Sequence, residues 1–187
     1  MARRLVVGIS GASAPHYGVR LLEVLRPLDV EVHLVLSAGA ARTIDVEMGR
    51  DPAEVAALAD VCHDPGDLGA PPASGTFLTM GMVVAPCSIR SLSAIANSAN
   101  DNLLVRAADV CLKERRRLVL VVRETPLHLG HLRLMTHVAE AGAVILPPVP
   151  AFYHRPRTVQ DLVDHTVTKV LDQFGIHVDL IRRWEGG

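Results

Sequence analysis

Apolar residues cluster in five short runs, at residues 5–9, 32–36, 82–85, 118–122 and 143–146. Each is rich in Val, Leu or Ile and nearly continuous, the pattern of strands buried on both faces. Between them the spacing changes to a helical period. Tyr17, Leu21, Leu22 and Leu25 share one face and Pro27 follows; Leu103, Leu104, Ala107, Ala108 and Cys111 share another. Leu132, Met135, Val138 and Ala139 form a third stripe, closed by Gly142. A fourth runs from Val159 through Leu162, Val163, Thr166, Val167, Val170 and Leu171 to Phe174, with Thr158 as N-cap and Gly175 beyond the last apolar position. Residues 63–74 are rich in Pro, Gly and Asp and read as a loop. Strands alternating with helices predict an α/β fold, a three-layer sandwich around a central, mainly parallel sheet.

In such sheets ligands bind beyond the carboxyl ends of the strands. Three of the predicted ends carry small or hydroxylated residues: Ser10-Gly11-Ala12-Ser13, Ser37-Ala38-Gly39-Ala40 and Pro86-Cys87-Ser88-Ile89-Arg90-Ser91. The fourth places a cation beside a carboxylate, Arg123-Glu124. Turns of this kind suit a phosphate, because free N–H groups and hydroxyls converge there. Neither a GxGxxG spacing nor a P-loop is present, so a nucleotide-like ligand is expected without a nicotinamide or P-loop site. Glu124 is a candidate acid/base. Arg106 and Lys113, seven apart on a predicted helix, either join Arg123 at a phosphate or form a solvated basic face.

Composition narrows the class. The 187 residues suit one domain, expected to span 1–187, and 49% of them are apolar. Three Phe, two Tyr and one Trp leave the core to aliphatic side chains. A net charge of -1 is not the footprint of a nucleic-acid binder, and no run approaches a membrane span. Cys62, Cys87 and Cys111 lack metal-like spacing and predict reduced thiols in a cytoplasmic protein. His128 and His131 have no neighbouring carboxylate or thiol to complete a ligand set, so no metal is expected. Nineteen residues are Lys or Arg, but only Lys113 and Lys169 are lysines.

Several of these segments together carry a resemblance over nearly the whole chain. They are Val7-Gly8-Ile9-Ser10-Gly11-Ala12-Ser13, Pro86-Cys87-Ser88, Arg106-Ala107-Ala108-Asp109-Val110, Leu112-Lys113-Glu114-Arg115-Arg116, Arg123-Glu124-Thr125-Pro126-Leu127 and residues 147–156. With them the chain resembles the UbiX-like flavin prenyltransferases, formerly called phenylacrylic acid decarboxylases. The resemblance implies a Rossmann-like or flavodoxin-like sandwich assembled as a homododecamer, with residues 176–187 at a subunit interface. The implied enzyme joins the dimethylallyl group of dimethylallyl monophosphate to N5 and C6 of reduced FMN, without a metal. The prenylated FMN then serves a UbiD-like decarboxylase.

By the same resemblance, Gly11, Ala12, Ser13, Ser37, Ser88, Ile89, Arg90, Ser91, Arg106 and Arg123 are expected to contact FMN. Lys113, Arg123, Tyr153, Lys169 and Trp184 are expected at the prenyl phosphate. Glu124 is the implied acid/base, with Ser13 beside it and Glu47 supplied across a subunit interface. The chain departs from the family at Ala14, where Gly is usual and a Cβ opposes a positive φ. It also has Ala38-Gly39 where Lys-Ala is frequent, and Lys169 where Arg is common. An FMN-binding accessory subunit of an aromatic-acid decarboxylase and a flavin-dependent decarboxylase of peptidyl cysteine are the alternatives.

Overall fold

The computed structural model describes residues 3–184. One six-stranded sheet runs through it, with every paired strand parallel. The strands are β1 (Arg4–Ile9), β2 (Glu31–Leu36), β3 (Val61–His63), β4 (Gly81–Cys87), β5 (Arg117–Val122) and β6 (Val144–Ile145), in the order β3-β2-β1-β4-β5-β6. The helices are α1 (His16–Leu25), α2 (Ala38–Met48), α3 (Pro52–Ala56), α4 (Ile89–Ala96), α5 (Leu103–Lys113), α6 (Leu129–Glu140) and α7 (Val159–Asp172).

Side chains alternate along each central strand, and both faces are covered. Leu5, Val7, Ile9, Val83, Ala85, Val119 and Val121 meet α1 and α7 on one side. Val6, Met82, Val84, Leu118, Leu120 and Val122 meet α4 and α5 on the other. This two-sided burial explains why the strands read as unbroken apolar runs. Helix α1 lies so close to the sheet that a Cβ at Gly18 would stand 2.2 Å from the Ala85 carbonyl oxygen. Arg20 then locks α1 to α7 through Asp164, its Nε donating at 2.7 Å and Nη2 at 3.3 Å.

The predicted strands are all present, but the sheet has a sixth. β3 is three residues long and its side chains are largely exposed, so it carries no apolar run. It is held to the edge partly by side chains: His33 Nδ1 lies 2.9 Å from His63 Nε2, and His33 Nε2 lies 3.0 Å from Glu31 Oε1. The first residue of the expected 63–74 loop is therefore strand, and Pro71–Ala73 forms a 3-10 turn within it. Helices α2 and α4 also follow strands directly where only turns were read.

The α6 stripe is rotated from its prediction. Leu134, Met135 and Val138 face the core, whereas Leu132 and Ala139 are exposed. Within the expected interface segment, Ile176, Val178 and Leu180 pack on the chain's own core. Of the rest of that segment, residues 185–187 lie outside the described residues.

Thr158 caps α7 as predicted. Its hydroxyl accepts from Asp161 N at 3.1 Å, and Asp161 Oδ2 accepts from Thr158 N at 3.0 Å. Thr158→Ala should lower stability by about 1 kcal/mol in urea unfolding. The edge histidines set a pH dependence. Burial, and then the neighbouring His33, hold the His63 imidazole below its ordinary value. As pH falls below about 6.5, the unfolded chain takes up a proton that the folded His63 resists, so stability drops. Unfolding midpoints at pH 7.5 and 5.5 should differ less in His63→Gln than in the parent.

Candidate functional site

The sheet order reverses between β1 and β4, and a cavity of about 630 Å³ opens there beyond the strand ends. Gly11, Ser37, Gly39, Ser88 to Ser91, Asn102, Leu104, Val105 and Glu124 line it. Three helices begin on this cavity, each with a capped first turn. Ser37 Oγ accepts from Ala40 N (3.1 Å) at α2, Ser88 Oγ from Ser91 N (3.2 Å) at α4, and Asn102 Oδ1 from Val105 N (3.1 Å) at α5. First-turn N–H groups lack intrahelical partners, and the three positive dipole ends converge on a cavity that Arg90 also lines, so an anion is favoured there beside the Asp101 and Glu124 carboxylates at the lining. Ile89, Leu104 and Val105 supply an apolar wall.

Of the expected FMN residues, Gly11, Ser37, Ser88, Ile89, Arg90 and Ser91 line this cavity, and Glu124 stands at it. Glu124 is exposed, and its Oε1 accepts from Thr125 N at 3.0 Å. Asp101, Asn102, Pro65 and Gly66 line it too, although none was singled out from the sequence. Asn102 was findable, since an Asn immediately before an apolar helical run is an N-cap signal.

The other expected residues occupy separate places. Arg106 turns away: its Nε donates to the Ala73 carbonyl at 3.1 Å and its Nη1 to Asp109 at 3.2 Å. Arg123 follows β5 on the α1 side, close enough to Tyr17 to offset part of the upward push that burial gives that phenol. Lys113 is at the far end of α5, ~16 Å along the helix from cavity-lining Asn102, and pairs with Glu114. Within one chain it therefore cannot share an anion with Arg123, because α5 runs from the strands' carboxyl ends to their amino ends. The seven-residue spacing correctly placed Arg106 and Lys113 on one helix but said nothing of which end faced the cavity.

Tyr153, Lys169 and Trp184 gather on the outer side of α7. The Tyr153 and Trp184 rings are 6.0 Å apart, edge to face, and both are exposed. Lys169 is exposed and close enough to His165 to oppose its protonation.

Glu47, expected from a neighbouring subunit, reaches the glycine turn of its own chain. Its Oε2 accepts from Ser13 Oγ at 3.1 Å and from Ala14 N at 2.8 Å. These bonds hold Ala14 at φ +66°, the positive region its Cβ was expected to oppose. The turn thus keeps a glycine-like shape without the glycine. Among the described residues no group of three or more His, Cys, Asp or Glu side chains is placed to hold a metal. At the HxxH pair, His128 Nδ1 is occupied in capping α6, accepting from Gly130 N at 3.0 Å.

A family profile described as Flavoprotein matches residues 1–171. The flavin prenyltransferase UbiX of Escherichia coli K12 is 61% identical over 187 aligned residues, covering 98% of this chain and 99% of that one. The chain belongs to the UbiX-like flavin prenyltransferases. Solved structures agree. AnUbiX in complex with FMN and dimethylallyl pyrophosphate superposes with a TM-score of 0.98 at 49% identity, over 100% of both chains. A dodecameric FMN-dependent UbiX-like decarboxylase from E. coli O157:H7 gives 0.96 at 48%, over 98% of this chain and 100% of that one. The flavodoxin-like sheet is shared with these structures.

A left-handed alanine costs ~1 kcal/mol. Ala14→Gly should therefore raise stability, by about 0.5 kcal/mol once the extra freedom of the unfolded chain is allowed for. Urea unfolding of the two proteins checks this.

Proposed function

We propose that this chain is a flavin prenyltransferase, transferring a dimethylallyl group from dimethylallyl monophosphate to N5 and C6 of reduced FMN. The observation that carries the reading is the cavity at the β1/β4 reversal. Three helix N-termini and the Ser37 and Ser88 hydroxyls face it, an apolar wall closes one side, and Glu124 stands at its edge. That combination fits FMN, whose phosphate needs N–H and O–H donors and whose ring needs an apolar surface. Gly11, Ala12, Ser13, Ser37, the Ser88 to Ser91 turn and Arg123 would hold it, whereas Arg106 is engaged with the Ala73 carbonyl and Asp109. When bound, reduced FMN supplies the nucleophilic atoms.

The residues of the chain do the rest. Breaking the allylic C–O bond sends an electron pair to the departing phosphate and leaves an allylic cation. Arg123, Lys113, Tyr153 and Lys169 stabilise the phosphate charge without a metal. Glu124 delivers a proton to the departing group; the proton given up at N5 in the first bond formation goes to the allylic double bond, and the ring carbon returns a proton to Glu124 as the second bond forms. Trp184 offers a π face to the cation, and Ser13, held by Glu47, lines the approach.

Lys113, the Tyr153–Lys169–Trp184 group and the cavity are separate in one chain, so the site is completed between copies in a homododecamer. The dodecameric relative supports this. Residues 1–187 act as one domain, and the exposure of Trp184 supports a subunit interface within the segment 176–187. The prenylated FMN passes to a UbiD-like decarboxylase, and the reaction belongs in the cytoplasm, where Cys62 stays a free thiol. The accessory-subunit alternative draws slight support from Ala14, whose Cβ was expected to oppose a positive φ, and Ala14 takes up that conformation at φ +66°.

The test is anaerobic incubation with reduced FMN and dimethylallyl monophosphate, followed by mass measurement of the extracted flavin. A gain of one C5 unit is expected, and bound FMN with no such gain refutes the proposal. Glu124→Gln should retain FMN binding and slow prenylation at least a hundredfold, the usual share of one acid/base group.

A further inference from the structure

His165 is not used by the mechanism above, yet it holds the phenol that the mechanism assigns to the phosphate. Its Nε2 lies 3.0 Å from the Tyr153 hydroxyl oxygen. Its ring stacks on His154 at 5.0 Å and 7°. The Tyr153 ring also meets the Trp184 ring edge to face, at 6.0 Å.

A phenol has one proton to give. If His165 accepts it, Tyr153 presents only lone pairs outward, and these repel a phosphate oxygen. If His165 donates, the phenol proton is free for the phosphate, and the two hydrogen bonds polarise one another along one chain. We propose that His165 is a positioning residue for the prenyl-phosphate subsite, donating its Nε2–H to Tyr153 so that the Tyr153 hydroxyl donates to the phosphate. The inference rests on the placement of the phosphate at Tyr153.

The surroundings favour this arrangement. His165 and Lys169 are four apart on α7 and share a face, so the imidazole and the ammonium stand at the same subsite. The groups around His165 are Tyr153 and His154 from the loop before α7 and Lys169 from α7 itself. Asp161 lies beside His154, and Asp172 lies on the far side of Lys169. Burial, then His154 and Lys169, keep His165 below the ordinary imidazole value, which maintains the neutral ring with its single proton. Both ring nitrogens of His154 are buried without a hydrogen-bond partner among the described residues, so His154 acts here through its ring face.

The test measures dimethylallyl monophosphate binding to the assembled protein carrying oxidised FMN, which cannot turn over. Calorimetry gives affinity, and emission from Trp184, the only tryptophan, reports locally. His165→Leu and Tyr153→Phe should each weaken binding about tenfold, the loss of one hydrogen bond to a charged group. His165→Gln, whose terminal amide reaches where Nε2 stands, should stay within about twofold. His165→Asn is too short to reach and should behave like His165→Leu, which covers the case of a poorly folded leucine variant. In a Tyr153→Phe background, His165→Leu should cost nothing more. If Tyr153→Phe weakens binding and His165→Leu and His165→Asn do not, the positioning role is overturned while the phosphate placement stands. If Tyr153→Phe changes nothing, the phosphate placement itself fails and the positioning role falls with it.

Discussion

The site depends on one buried hydroxyl. Ser10, at the end of β1, donates from Oγ to the Pro86 carbonyl at 2.8 Å and accepts from Ser88 N at 2.7 Å. Its own N–H reaches the same carbonyl at 3.2 Å. Ser10 is 1% exposed, so water cannot replace these bonds, and breaking them would strand buried polar groups at about 1–3 kcal/mol each. The hydroxyl joins β1 to β4 where the sheet order reverses. It thereby sets the start of α4 against the glycine turn after β1. The cavity's two principal walls are fixed to each other before any ligand arrives.

Much of the fold was legible because burial on both faces writes itself as uninterrupted aliphatic runs. The β1, β2, β4 and β5 segments were read within a residue or two for that reason. So was α5, whose stripe of Leu103, Leu104, Ala107, Ala108 and Cys111 is entirely buried. Helix α2 escaped notice because only Ala40 and Ile44 of its residues are buried, leaving no apolar stripe. β3 was hidden because imidazoles and backbone, rather than apolar side chains, hold it. At the site, the small and hydroxylated strand ends identified half of the cavity lining. Lys113 shows the limit of spacing, since a helical repeat gives a shared face and not the end at which the face meets a ligand.

The distribution of cations follows from the same topology. Helices returning from the strand ends carry their last residues to the opposite edge of the sheet, so Lys113 and the cavity are held apart by the length of α5. α7 carries its group on an outer face. A chain built this way concentrates hydrogen-bond donors and Arg90 at its cavity and carries Lys113 and Lys169 away from it. Under the proposed function, the positive charge needed by a departing phosphate would be gathered where the peripheries of different copies meet.

The two glycines at the cavity rim have a further consequence. A Cβ on Gly11 would stand 2.9 Å from the Gly39 Cα, and one on Gly39 would stand 3.1 Å from the Gly11 Cα. The turns after β1 and β2 therefore touch backbone to backbone, with no side chain between them to act as a hinge. Displacing one displaces the other. The disorder that a loop-built pocket surrenders when its ligand arrives has here already been surrendered in folding. The pocket meets its ligand preorganised, and the paired glycines, Gly11 and Gly39, are what permit that contact.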